Sequence, residues 1–129
     1  MARKKIGKIT MQVGAEPTES DILVANIFAK AGCSVEILAA SKAYRVRTPD
    51  MNIDGVPWEV KCPKSRKSDK VRQKISDALG QSQNIIIGTF RSKMTDENIL
   101  RAIDEYLNTH KRVKHLKVIT KMHEIIDLK

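Results

Sequence analysis

The sequence predicts an α/β protein with a mixed central β-sheet flanked by helices. Three observations carry this. Segments of strand and helical pattern follow one another in the order α-β-β-β-α-β-α-β-β, and such alternation implies a sheet covered by helices. Asp54-Gly55 divides an alternating stretch, and Asp-Gly favours the two-residue type I′ turn of an antiparallel hairpin. "NIIIGTF", 84–90, holds a run of adjacent apolar residues, as expected of a strand covered on both faces. Antiparallel arms followed by crossovers through later helices give a mixed sheet.

The elements follow in order. Residues 1–15 read as a basic, weakly ordered lead, and 16–129 as a single domain. "TESDILVANIFAKA", 18–31, is a helix with Thr18 as N-cap, Glu19 and Asp21 at its positive end and Gly32 as its stop. Ile22, Leu23, Val24, Ile27, Phe28 and Ala31 give it a wide apolar face. "CSVEIL", 33–38, alternates and is a strand. The hairpin arms are 44–53 and 56–61, and Pro63 ends the second. Ser68 is expected to cap a helix reaching about Gln83, with Val71, Ile75, Ala78 and Leu79 inward. Thr95 caps another over 95–110, and strands at 115–120 and 123–128 pair at the end.

The 129 residues carry a net charge of +9, which favours a polyanionic partner, nucleic acid before a membrane surface. Aromatic residues make up only 4%, so a base-stacking platform for single strands is poorly supported. Cys33 and Cys62 lack zinc-ligand spacing and are too few for a disulfide framework. No apolar stretch follows the basic start as in a signal peptide, and none approaches the roughly 18 residues of a membrane span. A cytoplasmic location is therefore expected. The histidines, His110, His115 and His123, show no acid–base pairing and read as surface residues.

The stretch "TPDMNIDGVPWEVK", 48–61, raises the chemical question. With Asp54-Gly55 as the turn, Ile53 faces Val56, Asn52 faces Pro57, Met51 faces Trp58 and Asp50 faces Glu59. Met51, Ile53, Val56, Trp58 and Val60 share an apolar face, with Trp58 as a core anchor, while Asp50, Glu59 and Lys61 share the other. Facing carboxylates repel unless something positive lies between them. Two readings follow: a solvated hairpin face, or a divalent cation held by oxygen ligands with Lys61 beside it. Directly afterwards "KCPKSRKSDKVRQK", 61–74, holds seven Lys or Arg in fourteen residues. Lys64, Arg66, Lys67, Lys70 and Lys74 are the candidate phosphate contacts. The alternative for this run is a solvated helix start.

Pro49-Asp50 followed by Glu59-Val60-Lys61 resembles the motif of the PD-(D/E)xK nucleases. The wider stretch "PDMNIDGVPWEVKCPKS", with the preceding helix and the following "VRQKISDALGQSQNIII", is similar to C-terminal tRNase domains of contact-dependent growth-inhibition toxins. The similarity covers roughly residues 16–128. It implies a restriction-endonuclease-like core and a metal-dependent endonuclease using Mg²⁺ or Mn²⁺. Asp50 and Glu59 would bind the metal, and Lys61 would orient the attacking water or stabilise the developing charge. Glu19 matches the first-helix acid that completes the metal shell, and Glu16 competes for that role. Gln73 and Gln81 match polar positions on the helix after the motif. The toxin reading implies a cognate immunity protein and delivery into a target-cell cytoplasm.

The substrate stays open at this stage. tRNA or another structured RNA is favoured. A DNA endonuclease like the archaeal Holliday-junction resolvases is the alternative, and a non-catalytic nucleic-acid-binding module is a third reading. Lys61 argues against the third, because a binding surface gains little from paired acids that repel phosphate.

Overall fold

The computed structural model describes residues 5–43 and 47–129. Residues 1–4 of the expected lead and 44–46 of the expected first hairpin arm lie outside the described residues. The elements are β1 (Ile9–Met11), α1 (Glu19–Lys30), β2 (Val35–Ile37), β3 (Met51–Ile53), β4 (Val56–Lys61), α2 (Ser68–Ala78), β5 (Asn84–Gly88), α3 (Asp96–Thr109), β6 (His115–Ile119) and β7 (Ile125–Asp127). The strands follow one another in the sheet in sequence order. β1–β2 is parallel, β2–β3–β4 antiparallel, β4–β5–β6 parallel and β6–β7 antiparallel. The expected mixed α/β sheet is thus observed. Backbone contacts divide the chain into two units, Met1–Trp58 and Glu59–Lys129, with the boundary inside β4.

In the first unit, α1 begins as its sequence dictates. The Thr18 hydroxyl accepts from the Asp21 N–H at 3.1 Å, and the Asp21 carboxylate accepts from the Thr18 N–H at 3.0 Å. This reciprocal capping box satisfies two donors left over at the helix start. Thr18→Ala is expected to cost about 1 kcal/mol, read as a lower urea midpoint with an unchanged slope. Val24, Ala25, Ile27, Phe28 and Ala29 are buried, while Ile22 is exposed.

The lead was expected to be weakly ordered, but it contains β1. The strand pairs with β2 through Ile9↔Val35, Thr10↔Glu36 and Met11↔Ile37. All three of its residues are exposed, so no buried face left a period-2 signal in the sequence. Gly7 permits the close approach that starts this pairing: a Cβ there would stand 1.7 Å from the Cys33 carbonyl oxygen.

The hairpin turn is type I′, with φ of 49° at Asp54 and 83° at Gly55. The register is the predicted one: Ile53↔Val56, Asn52↔Pro57 and Met51↔Trp58. Asp54 also fastens the turn, since its carboxylate accepts from the Ser34 N–H at 2.8 Å and its own N–H donates to the Ser34 carbonyl at 2.8 Å. The ladder ends at Met51↔Trp58, and the Asp50 N–H donates to the Trp58 carbonyl at 3.1 Å. Asp50 and Met51 therefore both address Trp58, as in a β-bulge, which re-aims a side chain at a strand end. The simple alternation that set Asp50 opposite Glu59 is not continued past Met51. The expected apolar face buries Met51, Ile53, Trp58 and Val60, with Val56 left exposed beside the turn.

In the second unit, β5 presents Ile85, Ile86 and Ile87, all fully buried, as the run of adjacent apolar residues predicts. Ile85 and Ile87 pack with Val71 and Ile75 of α2 and Ile99 and Ile103 of α3. α2 departs from expectation at both ends. Ser68 is its first helical residue rather than its cap, and Lys67 occupies the cap position without a side-chain bond. The helix ends at Ala78, and the N–H groups of Gln81 and Ser82 both return to the Ala78 carbonyl. Gly80 disfavours continuation, and beyond Leu79 the sequence offers no apolar side chain to hold another turn inward. α3 is capped by Thr95 as predicted. Neither Cys33 nor Cys62 is in a disulfide. Among the described residues no helix is long and apolar enough to cross a membrane.

Candidate functional site

Glu59 and Lys61 lie two residues apart on β4, so their side chains leave the same face of the strand. The register with β5, Glu59↔Ile85 and Lys61↔Ile87, identifies that face. It is the one on which Ile85 and Ile87 pack against α2 and α3. This explains why the Glu59 side chain is only 4% exposed, while Lys61, nearer the strand end, is 24% exposed. The Lys61 ammonium stands 3.4 Å from the Glu59 carboxylate. A carboxylate out of water must be compensated by a cation and hydrogen bonds. The solvated-face reading therefore does not describe Glu59.

In the first unit, hydrogen bonds hold the Asp50 main chain on both sides. Its N–H donates to Trp58, and its carbonyl accepts from the Leu38 N–H at 3.0 Å. Asp50 borders a cavity of about 370 Å³ together with Glu16, Asp21, Lys42 and Thr48. Glu16 thus shares a cavity with Asp50, while Glu19, exposed in the first turn of α1, does not line it. Asp21 also borders this cavity. In the sequence it reads only as an acid at the positive end of α1, and the capping box it forms there explains it without any site.

Among the described residues no three His, Cys, Asp or Glu side chains are grouped closely enough to form a metal cage. Mg²⁺ rarely needs one, because it keeps several waters and takes one or two carboxylates together with substrate phosphate oxygens. The hard oxygen donors of Asp50 and Glu59 suit Mg²⁺ or Mn²⁺ in type.

The basic run divides. Lys64, Lys70 and Lys74 line a cavity of about 400 Å³ with Cys62, Pro63 and Ser65. Arg66 borders a different cavity, and Lys67 is exposed at the start of α2. Gln73 is exposed on α2. Gln81 was expected on the same helix but lies beyond its end, and its buried side-chain oxygen has no hydrogen-bond partner among the described residues. His110, His115 and His123 are exposed. His110 stacks on Tyr106 with ring centroids 4.0 Å apart, and His123 meets Phe90 edge-on.

Residues 47–125, more than half of the chain, match the family described as the contact-dependent growth inhibition CdiA C-terminal domain. The chain belongs to this family. No curated protein matches it. Among solved structures, the CdiA-CT/CdiI toxin and immunity complex from Burkholderia pseudomallei contains a similar chain, with a TM-score of 0.74 and 19% identity over 95% of this chain and 99% of that one. At that identity the likeness is one of fold. The part of this CdiA C-terminal domain that carries the family match includes Asp50, Glu59, Lys61 and the whole basic run, and leaves out Glu16 and Glu19.

Proposed function

We propose that the chain is a toxin domain acting as a metal-dependent endonuclease on tRNA or another structured RNA. The observation that carries this reading is the ion pair between the buried Glu59 and the partly exposed Lys61 on the helix-covered face of β4. A buried carboxylate costs stability unless it is compensated, and such arrangements cluster where charge is used in chemistry. Membership of the CdiA C-terminal domain family and the Pro49-Asp50, Glu59-Val60-Lys61 pattern support it further.

Asp50 and Glu59 are the carboxylates that would hold Mg²⁺ or Mn²⁺, with Glu16 the better placed of the two candidate acids to join Asp50. The bound ion supplies Lewis acidity toward a phosphate oxygen and lowers the pKa of water. The Lys61 ammonium offers a fixed positive charge beside Glu59, suited to the negative charge that develops on the phosphate during displacement. Lys64, Lys70 and Lys74 hold flanking phosphates and set the register. The similarity to a toxin and immunity complex supports an immunity protein as cognate partner.

The test is incubation with total tRNA and with duplex, branched and single-stranded DNA, in Mg²⁺ or Mn²⁺ and in EDTA. The expected result is cleavage of tRNA that EDTA stops and added metal restores. Cleavage of DNA alone would reassign the substrate, and cleavage insensitive to EDTA would remove the metal from the reading.

A further inference from the structure

The parallel strands of the second unit end side by side, with Lys61 in register with Ile87 and Gly88 with Ile119. In open α/β sheets, ligand contacts come from the loops that follow such ends. Here the loops after β4 and β5 are fastened together. The Ser92 hydroxyl, on a buried residue, donates to the Ser65 carbonyl at 2.9 Å. It also accepts from the Met94 N–H at 3.1 Å. Lys121 reaches in from the loop after β6 and donates to the Thr89 and Ser92 carbonyls, both at 2.7 Å.

These bonds hold Arg66 and Lys93 at the border of a cavity of about 540 Å³ that Ser68, Asn98, Arg101 and Glu105 also line. Its volume falls in the range of sites for nucleotide-sized ligands. Three lining cations oppose one carboxylate, and that carboxylate, Glu105, is paired at 3.3 Å with Arg72, which does not line the cavity. Arg101 is 3.3 Å from Glu97. Among the described residues Arg66 and Lys93 are in no ion pair. The cavity is therefore cationic and offers hydroxyl and amide groups, which suits an anion with several acceptor oxygens. Neither Glu59 nor Lys61 lines it.

We propose that this pocket is an anchoring subsite for a phosphodiester group of the nucleic-acid substrate, other than the phosphate that is cleaved. The inference rests on the nucleic-acid reading above and adds Lys93 and Arg101, which lie outside the basic run that the sequence singles out. Such a contact positions the substrate without taking part in bond breaking.

The test compares wild type, the double variant Lys93→Ala/Arg101→Ala, and a charge-matched control, Lys114→Ala/Lys129→Ala, whose residues do not line the pocket. Tight binding of total tRNA is measured against salt concentration, and KM and kcat are measured for cleavage. All four residues are exposed, so each variant should fold, which thermal unfolding checks. Loss of two phosphate contacts should flatten the plot of log K against log salt by about 1.4–1.8. It should weaken binding about tenfold or more and raise KM while leaving kcat unchanged. A double variant that behaves like the control overturns the subsite while the nucleic-acid reading stands. Wild-type protein that binds neither tRNA nor DNA overturns that reading and the subsite with it.

Discussion

Glu59→Gln is expected to lower the rate of phosphodiester cleavage by about a thousandfold or more while leaving the fold intact. The substitution keeps side-chain volume and removes one charge. A metal-bound carboxylate contributes to several kcal/mol of transition-state stabilisation, and about 4 kcal/mol corresponds to a thousandfold in rate. The cost to stability is small by comparison. Glutamine fills the same space beside Ile85, and Lys61, 24% exposed, can turn its ammonium toward water once its partner is neutral. Cleavage of tRNA in Mg²⁺, measured beside thermal unfolding, decides the matter. Full activity with a normal melting curve would remove Glu59 from the catalytic machinery. Inactivity with a collapsed melting curve would make its role one of stability instead.

The sequence made the hairpin legible in its register from the turn as far as Met51–Trp58, because Asp54-Gly55 fixes the turn type and the turn fixes the three pairs that adjoin it. Thr18 and Thr95 marked two helix starts for a similar reason: capping is chemistry between residues three apart. What stayed hidden depended on distant elements. Alternation places Glu59 and Lys61 on one face of β4, but whether that face meets water or a helix layer is decided by α2 and α3, far along the chain. β1 left no pattern because its residues stay exposed, so no buried face marks its alternation. Asp50 shows the limit of register arguments. The bond from its N–H to the Trp58 carbonyl ends the regular ladder one residue before the expected carboxylate pair, and no periodicity reports a bulge. Sequence spacing alone does not distinguish Glu16 from Glu19, and it gives no sign that Glu16 lines a cavity with Asp50 while Glu19 does not.

Ile87→Ala should be among the most destabilising single changes in the second unit and should also reach the chemistry. Ile87 is fully buried in β5 and packs with α2 and α3. Removing three carbons from such a site costs roughly 2–5 kcal/mol, because the transfer term adds to the cavity left behind. For a chain of this size that corresponds to a fall of roughly 10–20 °C in melting temperature. Ile86→Ala provides the comparison. Ile86 is equally buried and one residue away, so its stability cost should be similar. It is paired with Val60, whereas Ile87 is paired with Lys61, and successive residues leave opposite faces of the strand. A cavity at Ile87 opens beside the Glu59–Lys61 pair, and one at Ile86 opens behind it. At a temperature where both variants are folded, Ile87→Ala should therefore lose more cleavage activity than Ile86→Ala. Equal activities would mean that the packing of this face serves stability alone and does not position the charged pair.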